Sequence, residues 1–125
     1  MAIDESLVLE LVSRSESEKL DFKTHAYDSS TESKFEFAKD LMSIANGLVI
    51  DGPAGYILIG VDENSSDGTG ILVGINPQTH PDDADVHEKV KHILNRVPYF
   101  SYSPIEIQGK SIGVFEIRPG GRPYL

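Results

Sequence analysis

Three separated stretches of this 125-residue chain set a carboxylate at or beside an apolar run. They are Glu16-Ser17-Glu18-Lys19-Leu20-Asp21-Phe22-Lys23, Phe37-Ala38-Lys39-Asp40-Leu41-Met42-Ser43-Ile44-Ala45-Asn46 and Gly55-Tyr56-Ile57-Leu58-Ile59-Gly60-Val61-Asp62. A carboxylate is costly to desolvate, so one at the edge of a core is either satisfied locally or does chemistry. Leu20 and Phe22 alternate with Lys19, Asp21 and Lys23, the pattern of a half-buried strand, so Asp21 and Lys23 share the polar face. Lys23 is placed there to meet a phosphate, or simply to pair with Asp21, as Lys19 also is. Glu16 reads equally as a solvated surface carboxylate. Asp62, followed by Glu63-Asn64-Ser65, reads equally as a strand-end residue with Asx-turn chemistry. Other chemistries are excluded. The chain has no cysteine, which removes disulfides, thiolate zinc sites and cysteine nucleophiles. His87 and His92 are five apart, whereas two histidines meet one zinc ion on a helix at a spacing of four. The glycines at 52, 55 and 60 and at 68, 70 and 74 match neither phosphate-cradling pattern.

The elements that must position these groups are legible from periodicity. Leu7, Val8, Leu11 and Val12 predict a short amphipathic helix between Asp4 and Ser13. A polar loop from His25 to Ser30 follows the first strand, with Ser29 and Glu32 as a capping box for the next helix. That helix buries Phe37, Leu41, Ile44 and Leu48, and Gly47 is its expected left-handed stop. After the turn Asp51 to Gly55, Tyr56 to Val61 is too continuously apolar for an edge and predicts a central strand covered on both faces. Asn64 to Gly70 reverses the chain into a strand from Ile71 to Ile75. Pro81-Asp82-Asp83 opens a third helix with the stripe Val86, Val90, Ile93 and Val97, closed by Pro98. Phe100 to Ile107 and Ser111 to Ile117 form a hairpin about Gln108-Gly109-Lys110. The sum is an α+β domain: one mixed sheet of about five strands with about three helices packed on it. A chain of this length makes one domain, residues 1–125.

In order and wording the three stretches resemble the Schlafen AlbA-type domain. There an acidic-x(4)-acidic-Phe-Lys segment precedes a helix ending in Ala-Asn, and a Gly-Tyr-hydrophobic-hydrophobic-Gly-Val-Asp strand follows. The resemblance runs over residues 14 to 119, with Asp21 where the family often has Glu, and a longer connection after Gly47. It implies a nucleic-acid-binding domain, for RNA or DNA, serving regulation or defence. It also implies the N-terminal module of a longer protein and is compatible with a homodimer. In nuclease members two carboxylates five positions apart before Phe-Lys, and a third after Gly-Val, form a metal-dependent RNA-cleaving site. Glu16, Asp21 and Asp62 match those positions, as catalytic residues and as ligands of Mg²⁺ or Mn²⁺, with Lys23, Lys39 and Asn46 turned to nucleic acid. The chemistry is sound, because converging carboxylates hold a hard cation that stabilises charge on a phosphoryl group. One geometric condition applies: residues five apart on a regular strand face opposite ways, so Glu16 must lie in the turn before the strand to meet Asp21. A nucleotide-binding or protein-interaction domain, with the acids purely structural, is the alternative of a different class.

Net charge works against the nucleic-acid expectation. At −9 and pI 4.7, the chain repels a polyanion whose binding depends on counterion release by Lys and Arg. The two are reconciled by a basic face, by a bound cation or by sequence beyond this domain. The basic candidates are Lys34 and Lys39 on the second helix, Lys89, Lys91 and Arg96 around the third, and Arg118 with Arg122 at the end. The acidic N-terminus lacks the order of a signal peptide, and no apolar run approaches the roughly 20 residues of a membrane span. A cytoplasmic protein without a membrane partner is the expectation.

Overall fold

Alternation of apolar side chains along two adjacent strands decides the architecture. In the computed structural model, which describes residues 3–17, 19–28, 30–50, 54–94 and 97–118 (48–50 by backbone only), β2 (Gly55–Ile59) lies beside β6 (Lys110–Arg118). Ile57 and Ile59 of β2, with Phe115 and Ile117 of β6, point to one face; Leu58, Ile112 and Val114 point to the other. All seven are buried, so both faces must be covered. On the first face α2 (Thr31–Ile50) contributes Phe37, Leu41, Ile44 and Ala45, and α3 (Asp83–Lys91) contributes Val86 and Val90. On the second, α1 (Glu5–Val12) contributes Val8 and Leu11.

The sheet is completed by β1 (Leu20–Lys23), parallel to β2, and β5 (Tyr99–Ile107), antiparallel to β6, in the order β1-β2-β6-β5. Parallel neighbours need a long crossover, and α2 supplies it. The register pairs Asp21 with Ile57 and Lys23 with Ile59. Asp21 and Lys23 therefore sit at the margin of the face that α2 covers. Residue Gly60, at φ 93°, ends β2; this left-handed conformation suits glycine, and the chain turns out of the sheet. It enters β3 (Val61–Glu63), which pairs only with β4 (Gly70–Leu72) in a separate two-stranded sheet.

The α+β class, the three α-helices and a central strand beside β1 stand as expected, but the central strand ends at Ile59 rather than Val61, the strand expected from Ile71 to Ile75 spans Gly70–Leu72, and the strands number six among the described residues, divided four and two. Gly47 does not stop α2, which continues to Ile50, since one interior glycine costs a helix only about 1 kcal/mol. Ser29 lies outside the described residues; Ser30 Oγ accepts from the Ser33 N–H at 3.1 Å and acts as the cap. The third helix ends at Lys91, capped by His92, so Ile93 and Val97 join the packing from beyond it. Leu48 as a side chain, Arg96, the turn Asp51 to Pro53 and the segment from Pro119, with Arg122, also lie outside the described residues.

Tyr102 ties the far end of the first face together. Its hydroxyl bonds His80 Nδ1, while His80 Nε2 bonds Ser111 Oγ at 2.5 Å, and Asp83 Oδ1 accepts from the Tyr102 N–H at 2.8 Å. Burial holds His80 below the usual imidazole pKa, so the ring is neutral and links two hydroxyls. Gly113 makes room for this ring: a Cβ there would stand 2.7 Å from Tyr102 Cζ. Gly113→Ala should therefore destabilise the domain by about 1–3 kcal/mol, the range for overpacking a core that has no slack. Urea unfolding of the two proteins measures it; equal midpoints would show that Tyr102 can move.

Candidate functional site

Lys23, the last residue of β1, gathers acids from two elements. Its Nζ lies 3.5 Å from Asp21 Oδ2, 3.2 Å from Glu36 Oε1 and 3.3 Å from Asp40 Oδ2. Glu36 and Asp40 are four apart on α2, each immediately before a residue of its apolar stripe, Phe37 and Leu41, so the helix that covers Ile57 and Ile59 brings both to the margin of β1. Tyr27 fixes Asp40 from the other side, donating its hydroxyl to Oδ2 at 2.7 Å, while its ring rests on Phe37 with centroids 4.9 Å apart. The Lys23 side chain is only 25% exposed. Burial by itself would lower its pKa, but the charges of Asp21 and Asp40 overcome that and hold it raised, so the ammonium is permanent. Burial and the bond to Asp40 likewise push the Tyr27 phenol far above its ordinary value.

Glu16 meets the geometric condition set by its spacing from Asp21. It precedes the strand, between bridges that pair Ser15 with Thr69 and Ser17 with Leu20. From there Glu16 Oε2 accepts from the Phe22 N–H at 2.9 Å, satisfying an amide of the sheet's edge strand. Its carboxyl is also near enough to that of Asp21 for the two to interact. Two carboxyls in contact share a proton or repel. Burial first, then the Glu16 hydrogen bond and charge, raise Asp21 from the usual 3.8 to about 6 against the opposing pull of Lys23.

Asp62 does not join them. The bend at Gly60 carries it into the second sheet opposite Ile71, where it is exposed and its Oδ1 accepts from the Glu63 N–H at 2.8 Å. Among the described residues no three His, Asp or Glu side chains are arranged to hold one metal ion. Glu16 and Asp21 have the hard oxygen donors that Mg²⁺ or Mn²⁺ prefers, but as the three acids stand they do not fit a shared ion. Lys39 is exposed on α2. Asn46 is half-buried within that helix rather than at its end, and has an interaction of its own. Lys34 and Lys89 come together across a cleft of about 50 Å³ between α2 and α3, lined by Tyr27, Phe37 and Val86, too small for a nucleotide.

Sequence reasoning did not find Glu36, Asp40 or Tyr27 as members of the centre. The available signal was the spacing of four between the two acids, next to an apolar stripe. Their meeting with Lys23 depends on where the crossover helix lies, which no local pattern specifies.

Residues 16–124 match the Schlafen, AlbA_2 family. The fold is similar to the N-terminal domain of an ATP-dependent DNA helicase RecG-related protein from Nitrosomonas europaea, solved by NMR, at 22% identity over 91% of this chain and 71% of that one, with TM-score 0.50. It is also similar to the DIP2311 protein from Corynebacterium diphtheriae, at 12% identity over 94% of this chain and 22% of that one, with TM-score 0.55. Identities this low speak for the fold alone. No curated protein matches the chain.

The raised Asp21 pKa has a definite sign. A protonated Asp21 stabilises the fold fully below pH about 4, and that contribution is lost as pH rises through about 6. Asp21→Asn should therefore be the more stable protein at neutral pH and lose its advantage below pH about 4. Thermal melts across that range measure the difference, and a constant difference would refute the assignment. Lys23→Met should move the Asp21 midpoint higher, as read by carboxyl NMR, and cost about 2 kcal/mol, between the surface and buried limits for an ion pair.

Proposed function

The chain belongs to the Schlafen AlbA_2 family, and from that membership we propose that it is a nucleic-acid-binding domain, engaging RNA or DNA in the cytoplasm in a regulatory or defensive role. The observation that supports this reading is the family match over residues 16–124, in which Glu16, Asp21 and Lys23, at the positions of the acidic-x(4)-acidic-Phe-Lys motif, meet at the margin of β1. A DNA helicase RecG-related protein carries the same fold, which agrees with it. A phosphate approaching this centre meets one ammonium and the acids Glu16, Asp21, Glu36 and Asp40, and the chain's charge of −9 adds to the repulsion. Binding is therefore carried by basic groups elsewhere on the surface, among them Lys39, or by a divalent cation that offsets the acids.

A second reading, a metal-dependent endoribonuclease using Glu16, Asp21 and Asp62, is favoured by the contact of the first two carboxyls, which a cation would relieve as well as a proton does. Such an ion would supply charge stabilisation at a phosphoryl group. This reading requires Asp62 to give up the Glu63 amide.

Fluorescence anisotropy with labelled structured RNA and duplex DNA, with and without Mg²⁺, tests the first reading. If three phosphates are contacted, affinity should fall on the order of 40-fold between roughly 50 and 200 mM salt. Affinity that ignores salt would count against phosphate-led binding. The second reading predicts that Asp62→Asn abolishes cleavage and any melting-temperature gain from Mn²⁺, while the metal-free melting temperature stays put. Should neither protein respond to Mn²⁺ and no RNA be cut, binding alone remains.

A further inference from the structure

The face of the sheet opposite Lys23 carries a different surface. Where α1 leaves the second face, Tyr56 of β2, Glu116 and Arg118 of β6 and Tyr99 of β5 lie in neighbouring rows, with Tyr56 opposite Glu116 and Arg118 opposite Tyr99. Glu116 is buried among them, bonded by the Tyr56 hydroxyl at 3.4 Å and by Arg118 Nη2 at 3.0 Å. Tyr99 is 71% exposed, and Arg118 keeps half of its side chain in solvent. Arg14, at the end of α1, is close enough for its charge to act on the Tyr56 phenol, as that of Arg118 does. A depression of about 360 Å³ beside Tyr99 and Arg118 also includes Lys91, and another of about 340 Å³ joins Arg14 to Tyr56.

Among the described residues each guanidinium is engaged on one side only, Arg118 by Glu116 and Arg14 by Glu10 at 2.6 Å. A guanidinium has five N–H donors, so both keep donors for a further oxyanion. The two glutamates fix the arginines in place, which reduces what ordering them would cost on binding. Tyr56 and Tyr99 stand about 12 Å apart, two strand spacings across and two residues along, with Arg118 between them and Arg14 beside Tyr56. Aromatic rings alternating with guanidinium groups suit a ligand that alternates flat rings with anions. A duplex hides its base faces, and a single strand presents them.

We propose that this open end of the sheet binds single-stranded nucleic acid, with a base stacked on Tyr99, the adjacent phosphate on Arg118 and a phosphate further along the strand on Arg14. The site rests on the nucleic-acid reading of the domain but is separate from the carboxylate centre, which lies on the other face. It also locates the binding groups that the acidic centre cannot supply.

The test is the anisotropy of a fluorescein-labelled oligothymidylate of about twelve nucleotides, and of its duplex with oligoadenylate, on the whole chain and its variants, with Mg²⁺ present. The single strand should bind more tightly than the duplex, Tyr99→Ala should weaken it about tenfold, and Tyr99→Phe, which keeps the ring, should stay within about twofold. Phe35→Ala, which removes an aromatic 57% exposed on α2, should leave affinity unchanged. If the wild type binds nucleic acid but Tyr99→Ala binds equally well, or the duplex is preferred, the stacking site is overturned and the broader reading stands. Equal weakening by Ala and Phe would assign the effect to the hydroxyl and overturn stacking. If the wild type binds neither probe, the nucleic-acid reading fails and this site with it.

Discussion

Burial of β2 and β6 on both faces is the constraint from which the rest of the structure follows. With Ile57, Leu58, Ile59, Ile112, Val114 and Ile117 all enclosed, helices must cover both sides, and the middle of the sheet has no room for an unsatisfied polar group. Polar chemistry is pushed to the margins. At one margin the short edge strand β1 holds Asp21 and Lys23 against α2. At the other, β5 and the end of β6 hold Tyr99 and Arg118.

The two margins differ because of what covers them. Beside β1 the crossover helix brings Glu36 and Asp40 down onto Lys23, so one ammonium neutralises several acids and is itself locked in place. Such a centre is rigid and acidic. Its one adaptable member is the Glu16–Asp21 carboxyl pair, whose proton is held near neutral pH. At the β5 end no helix among the described residues covers the second face around Tyr99, and a buried glutamate orients an exposed arginine. A domain of net charge −9 can thus carry a face that is locally far from acidic. Overall charge bounds long-range attraction and says little about any single patch.

β5 is also an edge, and it is blunted. The outward N–H of Tyr102 is taken by Asp83, and Pro104, two residues on with the same orientation, has none. Pairing with a further strand is therefore interrupted along the middle of this edge, whereas the side-chain face around Tyr99 stays open.

The sequence by itself determined what depends on local periodicity and on the solubility of side chains. The apolar run from Tyr56 to Val61 read as a central strand, which is present from Gly55 to Ile59; alternation placed Asp21 and Lys23 on one face, and turn residues marked the final hairpin, and both are present. The Glu16 condition was also legible, because a spacing of five on a strand forces the first residue into the preceding turn. Tertiary structure alone decided the rest. Gly47 is a stop by local preference, yet α2 runs through it, since a helix of this length absorbs one glycine. Asp62 looked like the end of the central strand, but the left-handed bend at Gly60 moved it to another sheet, and a backbone conformation open to glycine does not reveal whether glycine adopts it. Glu36 and Asp40, both more than ten residues along the chain from Lys23, became its partners through the lie of the helix that carries them. Pairings of that kind are set by how elements pack, and a one-dimensional pattern carries no record of them.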